Sequence, residues 1–200
     1  MWVHESFANY AETLFTSSEY GNEAGNDYVI GTRKNIQNDV PIISHYNVNE
    51  EGSGDMYYKG GNMIHMIRQI INDDEKFRQI LSGLNKDFYH TTVTTAEIEN
   101  YISKKSGFDF SKVFDQYLRT TQIPLLNYSV SLQKGATYLT YFWANCVNGF
   151  NMPVRVSVAP GKSIWLKPQT IIQKLKLKGA SLPQKIVDRN FYVGEKRTGL

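Results

Sequence analysis

The sequence predicts an α+β fold, in which a helical first part is followed by a small antiparallel β-sandwich. Up to about residue 122, apolar residues recur mainly at the three- and four-residue spacing of amphipathic helices. After Pro124 they alternate with period two, and turn residues separate the alternating segments as in short antiparallel strands. We therefore predict two domains, residues 1–123 and residues 124–200.

The composition is that of an ordinary globular protein, with 41% hydrophobic residues and a net charge of +3. So small a net charge favours a solvated surface and argues against nucleic-acid binding. No apolar run is long enough to span a membrane, and no signal peptide is visible. The single cysteine, Cys146, cannot form an internal disulfide, and its apolar neighbours predict a small buried side chain.

The helical part contains well-marked helix ends. Thr94 and Glu97 form a capping-box pattern at the start of one helix, and Gly107 is a typical stop signal at its end. Acidic residues in 72–75 favour a helix start, because the helix dipole stabilises negative charge there. The predicted helices are 4–20, 23–37, 54–72, 73–86, 95–106 and 110–121, with a loop over 38–53.

Six or seven strands are predicted beyond Pro124, and Lys134-Gly135 and Pro160-Gly161 mark turns between them. The alternating residues that define these strands are Tyr128, Val130 and Leu132; Leu139, Tyr141 and Trp143; Val154, Val156 and Val158; Ile164 to Leu166; Leu175 and Leu177; and Phe191 to Val193.

The first helix combines an apolar surface with two carboxylates. Phe7, Tyr10 and Leu14 fall on one face, and further apolar residues on the other sides predict a mostly buried helix. Glu5 and Glu12 lie one heptad apart and therefore on the same side. A buried carboxylate needs a cation, a metal ion or hydrogen-bond donors, unless the two residues simply line a polar seam.

The second unusual stretch is the helix predicted over 54–72. Gly60 and Gly61 weaken a helix by about 1 kcal/mol each, which indicates close packing against another element or a ligand. Tyr57 lies two turns before Ile64 and is expected to point inward at the helix start, either as a packed ring or as a hydrogen-bond donor in a cleft. His65 sits among Met and Ile residues, which favours a hydrogen-bonded core histidine over a metal ligand.

Two motifs together resemble the aminopeptidase N-like zinc metallopeptidases, which are gluzincins. Residues 2–12 read Trp-x-x-Glu-x-Phe-Ala-x-Tyr-x-Glu, and residues 57–60 read Tyr-x-Lys-Gly at the head of a helix. The resemblance covers residues 1 to about 123, and the following strand-rich part is similar to the β-domain of three-domain members. It implies the helical C-terminal half of a gluzincin-type catalytic domain followed by a β-sandwich.

The resemblance also implies site residues. Glu5 matches the third zinc ligand, which in the family lies about eighteen residues beyond a His-Glu-x-x-His motif. Tyr57 matches the tyrosine that hydrogen-bonds the oxyanion of the tetrahedral intermediate. Glu12 is expected either to orient a ligand of the metal or to cap a neighbouring helix. The implied activity is zinc-dependent removal of N-terminal residues from peptides.

The rest of the family machinery does not occur in this sequence. His-Glu-x-x-His with its general-base Glu is absent, since Ala8 stands where a second His would follow His4, and the Gly-x-Met-x-Asn segment is absent too. We therefore expect a fragment of an aminopeptidase that is inactive and does not bind zinc by itself. The alternatives are a non-catalytic module that self-associates through the exposed face of its first helix, and an enzyme whose missing ligands come from another chain. The sequence does not give the compartment, although the resemblance favours export to the periplasm.

Overall fold

The computed structural model describes residues 1–43, 45, 52–178 and 181–198. The chain divides into two compact units, residues 1–121 and residues 122–200, which we call the helical unit and the β unit. The predicted α+β class is confirmed, because the helices belong to the first unit and the strands to the second. Much of the predicted 38–53 loop, residues 44 and 46–51, lies outside the described residues. None of the described helices is long and apolar enough to cross a membrane.

The helices lie close to their predicted positions. One segment differs: the helix predicted over 23–37 ends at Gly31 and continues as a short 3-10 helix, Thr32–Asn35. The α-helices of the described residues are α1 (Trp2–Tyr20), α2 (Asn22–Gly31), α3 (Asp55–Ile71), α4 (Asp74–Asp87), α5 (Thr95–Ser106) and α6 (Ser111–Arg119).

The helix ends follow their sequence signals. The Thr94 side chain accepts a hydrogen bond from Glu97 N, and the Glu97 carboxylate accepts one from Thr94 N, so the capping box of α5 is complete. Gly107 ends that helix in the left-handed conformation, with φ of 79°. Asp73 caps α4 by accepting a hydrogen bond from Lys76 N.

The core of the helical unit forms where α1 packs on α3. Tyr10, Val29, Ile64 and Phe77 make one buried cluster, with Phe7, Leu14 and other apolar residues packed against it. The expectation of a mostly buried α1 holds for one face only, and the opposite face is exposed, as the self-association alternative requires. The far side of α1 is open, because the described residues cover only one face of the helix: Ala8 and Ala11 are exposed, and Phe15 is 65% exposed.

The β unit contains a four-stranded sheet in the order β5-β2-β1-β6 and a two-stranded sheet of β3 and β4. The predicted turn at Lys134-Gly135 joins β1 to β2, and both residues adopt positive φ. Within the described residues the strands are β1 (Leu125–Gln133), β2 (Ala136–Ala144), β3 (Val154–Ala159), β4 (Lys162–Leu166), β5 (Gln173–Leu177) and β6 (Gly194–Arg197).

Two details of the β unit correct the sequence analysis. The last strand starts at Gly194, and residues 191–193 precede it outside the ladder, because Phe191 is buried and packs edge-on against Trp165. Strand β6 also pairs with β1 in parallel, from Leu125 opposite Gly194 onward, so the sheet is mixed and not purely antiparallel. Whether the two sheets form the predicted sandwich stays a prediction.

The core of the β unit lies on one face of the four-stranded sheet. Leu126, Leu139 and Trp143 are buried on that face, and the Trp143 indole N–H donates to Met152 O at 3.0 Å. The expectation of a buried Cys146 is only partly met, because this residue lies at a bend just after β2 and is half-buried. Its partial burial raises the pKa of the thiol.

Candidate functional site

The start of α1 is anchored by Trp2. The ring is buried and lies 6.2 Å, centroid to centroid, from the Phe114 ring. Its indole N–H donates to Thr95 Oγ1 at 3.1 Å, which ties α1 to the first residue of α5. The tryptophan of the motif therefore fixes the helix turn that carries Glu5.

Close packing joins α1 to the first turns of α3. The buried Ser6 hydroxyl donates to Met56 O at 2.6 Å. A Cβ on Gly60 would come 2.8 Å from Ser6 Cβ, and one on Gly61 would come 2.6 Å from Asn9 Oδ1. The close packing expected from this glycine pair is confirmed: the two helices approach so closely that a side chain at Gly60 has no room.

This contact brings the backbones of the predicted site residues side by side. Ser6 follows Glu5 and Met56 precedes Tyr57, so the hydrogen bond between Ser6 and Met56 joins their immediate neighbours. The Glu5 side chain is half-buried, and it has no hydrogen-bond partner in the described part of the chain. A carboxylate held in this way is available to an external cation or donor.

Tyr57 is 39% exposed, so its ring is not packed in the core, and the alternative of a hydrogen-bond donor in a cleft stays a prediction. Ile64 is buried on one face of α3, but the described residues leave the same face partly uncovered two turns earlier, at Tyr57. The phenol is therefore placed at an accessible surface of the first turn of α3. Its role in stabilising an oxyanion stays a prediction.

Glu12 lies on the exposed side of α1 and accepts a hydrogen bond from Tyr28 Oη at 2.5 Å. The bond to this carboxylate raises the pKa of Tyr28. The bond to the Glu12 carboxylate comes from a side chain in the second half of α2 and not from a backbone N–H at the start of that helix. Glu12 therefore links α1 to α2 at the surface, and its proposed action on a metal ligand stays a prediction.

Sequence reasoning missed the buried charges beside this site. Lys59, the lysine of Tyr-x-Lys-Gly, is fully buried and donates to Thr120 O at 2.8 Å. Asp55 is also buried and accepts hydrogen bonds from Gln37 N and Asn38 N at 2.8 and 2.7 Å. Burial lowers the pKa of the Lys59 amine, and the carboxylate of Asp55 opposes that shift. The i, i+4 spacing of Asp55 and Lys59 on one helix was the available signal.

Asn62 is a second missed residue, and its hydrogen bonds hold α2 against α3. Its amide nitrogen donates to Val29 O at 3.2 Å and to Thr32 Oγ1 at 3.1 Å, and its oxygen accepts from Arg33 Nε at 2.7 Å. The fully buried amide is thus well satisfied. It positions the segment after α2 without lining the accessible surface.

His65 is a hydrogen-bonded core histidine, as its apolar surroundings predicted. It is fully buried, with Nδ1 at 3.0 Å from Tyr10 Oη and Nε2 at 3.5 Å from Gln69 Nε2. Burial raises the pKa of Tyr10 to about 12. These contacts stabilise the packing of α1 on α3.

The described residues do not fit a complete catalytic zinc site. Such a site takes three protein ligands and an open position for water. No group of three or more His, Cys, Asp or Glu side chains that could hold a metal ion occurs in the described ranges. Glu5 can therefore supply at most one of the ligands that the resemblance implies.

The two motifs that carry the metallopeptidase resemblance thus lie side by side, one at the start of α1 and the other in the first turns of α3. The model of the Peptidase family M1 domain matches residues 1–117. The chain belongs to this peptidase family. No curated protein matches the sequence significantly.

A solved structure supports the fold over nearly the whole chain. The crystal structure of Legionella pneumophila aminopeptidase A in complex with aspartic acid matches 98% of this chain with a TM-score of 0.66. Sequence identity is 16%, so this likeness concerns the fold alone. The chain spans 24% of the length of that aminopeptidase.

Proposed function

We propose that this chain is part of a zinc-dependent aminopeptidase that removes N-terminal residues from peptides. The observation that carries the proposal is the junction of α1 and α3, which puts Glu5 and Tyr57 on neighbouring backbone segments of a family M1 domain. In this proposal Glu5 is one metal ligand, and the other ligands come from outside residues 1–200. Zinc, when bound, would supply Lewis-acid activation of water.

Tyr57 is the oxyanion donor in this proposal. The Tyr57 side chain is partly exposed in the first turn of α3, where Lys59 is held by its bond to Thr120 O and Gly60 by its close approach to Ser6. A fixed donor stabilises developing charge better than a mobile one, because it does not reorganise during the reaction. Burial of Lys59 and the close approach at Gly60 thus support the position of Tyr57.

The first experiment measures zinc by elemental analysis and hydrolysis of an alanyl chromogenic substrate by the purified chain. We expect neither zinc nor hydrolysis from the chain alone. Both should appear when a segment that carries His-Glu-x-x-His is supplied, as a fusion or by mixing. Stoichiometric zinc bound by the chain alone would contradict the assignment of Glu5 as a ligand that needs partners from elsewhere.

Matched variants then separate the two roles in the reconstituted enzyme. Glu5→Gln should lose zinc, whereas Glu19→Gln, an exposed change on the same helix, should keep it. Tyr57→Phe should retain zinc and lower kcat by about 10²- to 10³-fold. Tyr58→Phe, one residue along in the same motif, should leave kcat unchanged. Equal effects of the two Tyr changes would refute the oxyanion role.

A second candidate function is self-association, which the open face of α1 favours. Ala8, Ala11 and Phe15 are exposed beside Tyr28 on one side of the unit. Sedimentation velocity of the chain over a range of concentrations tests this candidate. A dimer that dissociates in Phe15→Ser would favour it, and a monomer at all concentrations would exclude it.

A further inference from the structure

The two units carry opposite charge. The β unit has eleven Lys and Arg but only two Asp and Glu, a net charge of +9. The helical unit has eleven Lys and Arg against seventeen Asp and Glu, a net charge of −6. The overall value of +3 conceals this difference, so the β unit is far more basic than the whole chain indicates.

Both acidic residues of the β unit are occupied by internal contacts. Asp188 forms an ion pair with Arg155 at 2.6 Å. The Glu195 carboxylate accepts hydrogen bonds from Ile186 N at 2.8 Å and Val187 N at 3.3 Å. Asp188 and Glu195 therefore do not neutralise the many exposed lysines of the β unit.

Lysines are concentrated along β5, which among the described strands pairs with β2 alone and so forms an edge of the sheet. Lys174 and Lys176 are exposed on the same face, and Lys178 follows directly after the strand. Strand geometry spaces alternate residues by about 6.7 Å. Because Leu177 pairs with Thr137, this end of β5 lies close to the turn after β1. Lysines on an edge strand also prevent edge-to-edge aggregation, so they do not identify a ligand by themselves.

A pair of exposed isoleucines next to β5 gives the second observation. Ile171 is 64% exposed and Ile172 is 71% exposed. Lys167 and Lys174 flank them in the sequence, and both lysines are exposed. Two adjacent large aliphatic side chains in water are unfavourable unless something else covers them.

The segment that carries the isoleucines is tied to the sheet. Gln169 O accepts a hydrogen bond from Trp143 N at 2.8 Å, so the segment before β5 is also bonded to the backbone of β2. Gln169 N donates to the side-chain oxygen of Gln173, the first residue of β5, also at 2.8 Å. These bonds hold the bend just before the isoleucines, so that both side chains project outward from a fixed backbone.

We propose that the β unit binds reversibly to a membrane surface rich in anionic lipid. Ile171 and Ile172 enter the headgroup region, and Lys176 and Lys178 contact the lipid phosphates, whereas the Lys174 amine already donates to Gln133 Oε1 at 2.8 Å. Apolar insertion combined with basic side chains is the usual combination for peripheral attachment to anionic bilayers. A nucleic acid would satisfy the lysines but would gain nothing from two exposed isoleucines, so the lipid surface fits the patch better.

Vesicle co-sedimentation of the full chain tests the proposal. One vesicle is phosphatidylcholine alone, and the other contains phosphatidylcholine with about one third phosphatidylglycerol. We expect binding only to the second, with release at about 0.5 M NaCl because salt screens the attraction. Lys176→Gln/Lys178→Gln should weaken binding about fivefold for each lysine removed. Ile171→Ser/Ile172→Ser should weaken it at least about tenfold.

The control is Lys86→Gln/Lys104→Gln, which removes the same charge from exposed positions of the helical unit. It should bind like the unmodified chain. Equal weakening in this control, or no binding to the anionic vesicles at low salt, would overturn the proposal. So would an oligonucleotide that binds with the same dependence on Lys176 and Lys178 but none on the isoleucines. Circular dichroism verifies that each variant folds, which is expected because all the altered side chains are exposed.

Discussion

Gly60→Ala tests the close contact between α1 and α3 that underlies the candidate site. The added Cβ would overlap with Ser6 Oγ and lie 2.8 Å from Ser6 Cβ, so Ser6 or its helix must move. Higher helix propensity contributes about 1 kcal/mol in favour of Ala. Loss of the buried bond to Met56 O opposes it by about 1–3 kcal/mol, and overpacking adds about 1–3 kcal/mol. The net expected result is a helical unit destabilised by about 1–5 kcal/mol.

Urea denaturation followed by circular dichroism at the helix band measures this effect, because the α-helices of the described residues all belong to the helical unit. Gly31→Ala is the matched control. Gly31 has a helical φ of −60° and nothing within 4 Å of an added Cβ, so this change should stabilise by up to about 1 kcal/mol. The two substitutions are therefore expected to have opposite signs.

A rescue variant makes the test of this contact sharper. Ser6→Gly removes the atoms that a Cβ at position 60 would strike, so Gly60→Ala should be less harmful in that background. Stabilisation of the chain by Gly60→Ala, as expected for Gly31→Ala, would show that the two helices do not exclude a Cβ at position 60. Simple additivity of the two changes at Ser6 and Gly60 would show the same.

Three further results are expected from the contacts of the helical unit. Since burial raises the pKa of Tyr10 to about 12, the unfolded chain loses this proton first as pH rises above about 10. Stability should thus fall between about pH 10 and 12, and Tyr10→Phe should flatten this dependence in urea titrations at each pH. Thr94→Ala removes the capping box with Glu97 and should lower the free energy of unfolding by about 1 kcal/mol in the same assay. Lys59→Met removes the donor to Thr120 O and the positive charge beside the buried Asp55 carboxylate. The free energy of unfolding should therefore fall by about 3 kcal/mol, which thermal denaturation detects as a lower midpoint temperature of unfolding.

The helices were predictable because their signals are local. The capping box at Thr94 and the stop at Gly107 define α5 without reference to the rest of the chain. The pairing of β6 was not predictable in the same way. Its parallel register with Leu125 depends on contacts between segments about seventy residues apart, and alternation alone does not give strand direction.

In the candidate site, too, features with a local sequence signal were predictable and features that depend on distant contacts were not. Close packing at Gly60 was predictable because two adjacent glycines weaken a helix unless another element packs against them, and α1 packs there through Ser6. The burial of Lys59 was missed, since a lysine is expected at the surface and only the carbonyl of Thr120, far along the chain, explains its position. For Tyr57 the sequence left a packed ring and a donor in a cleft both open, because helical periodicity gives the direction of a side chain but not what covers it.

The parallel pairing of β1 with β6 has a consequence for the order in which the β unit forms. During synthesis β1 can pair with β2 soon after Ala144 is made, but its other edge stays open until residues 194–197 have been added. Closing such a long-range contact is slow compared with closing a hairpin. The β2 edge can pair once β5 is made, but the β1 edge stays unpaired longer, and during this interval the nascent β unit is most open to pairing with a wrong strand.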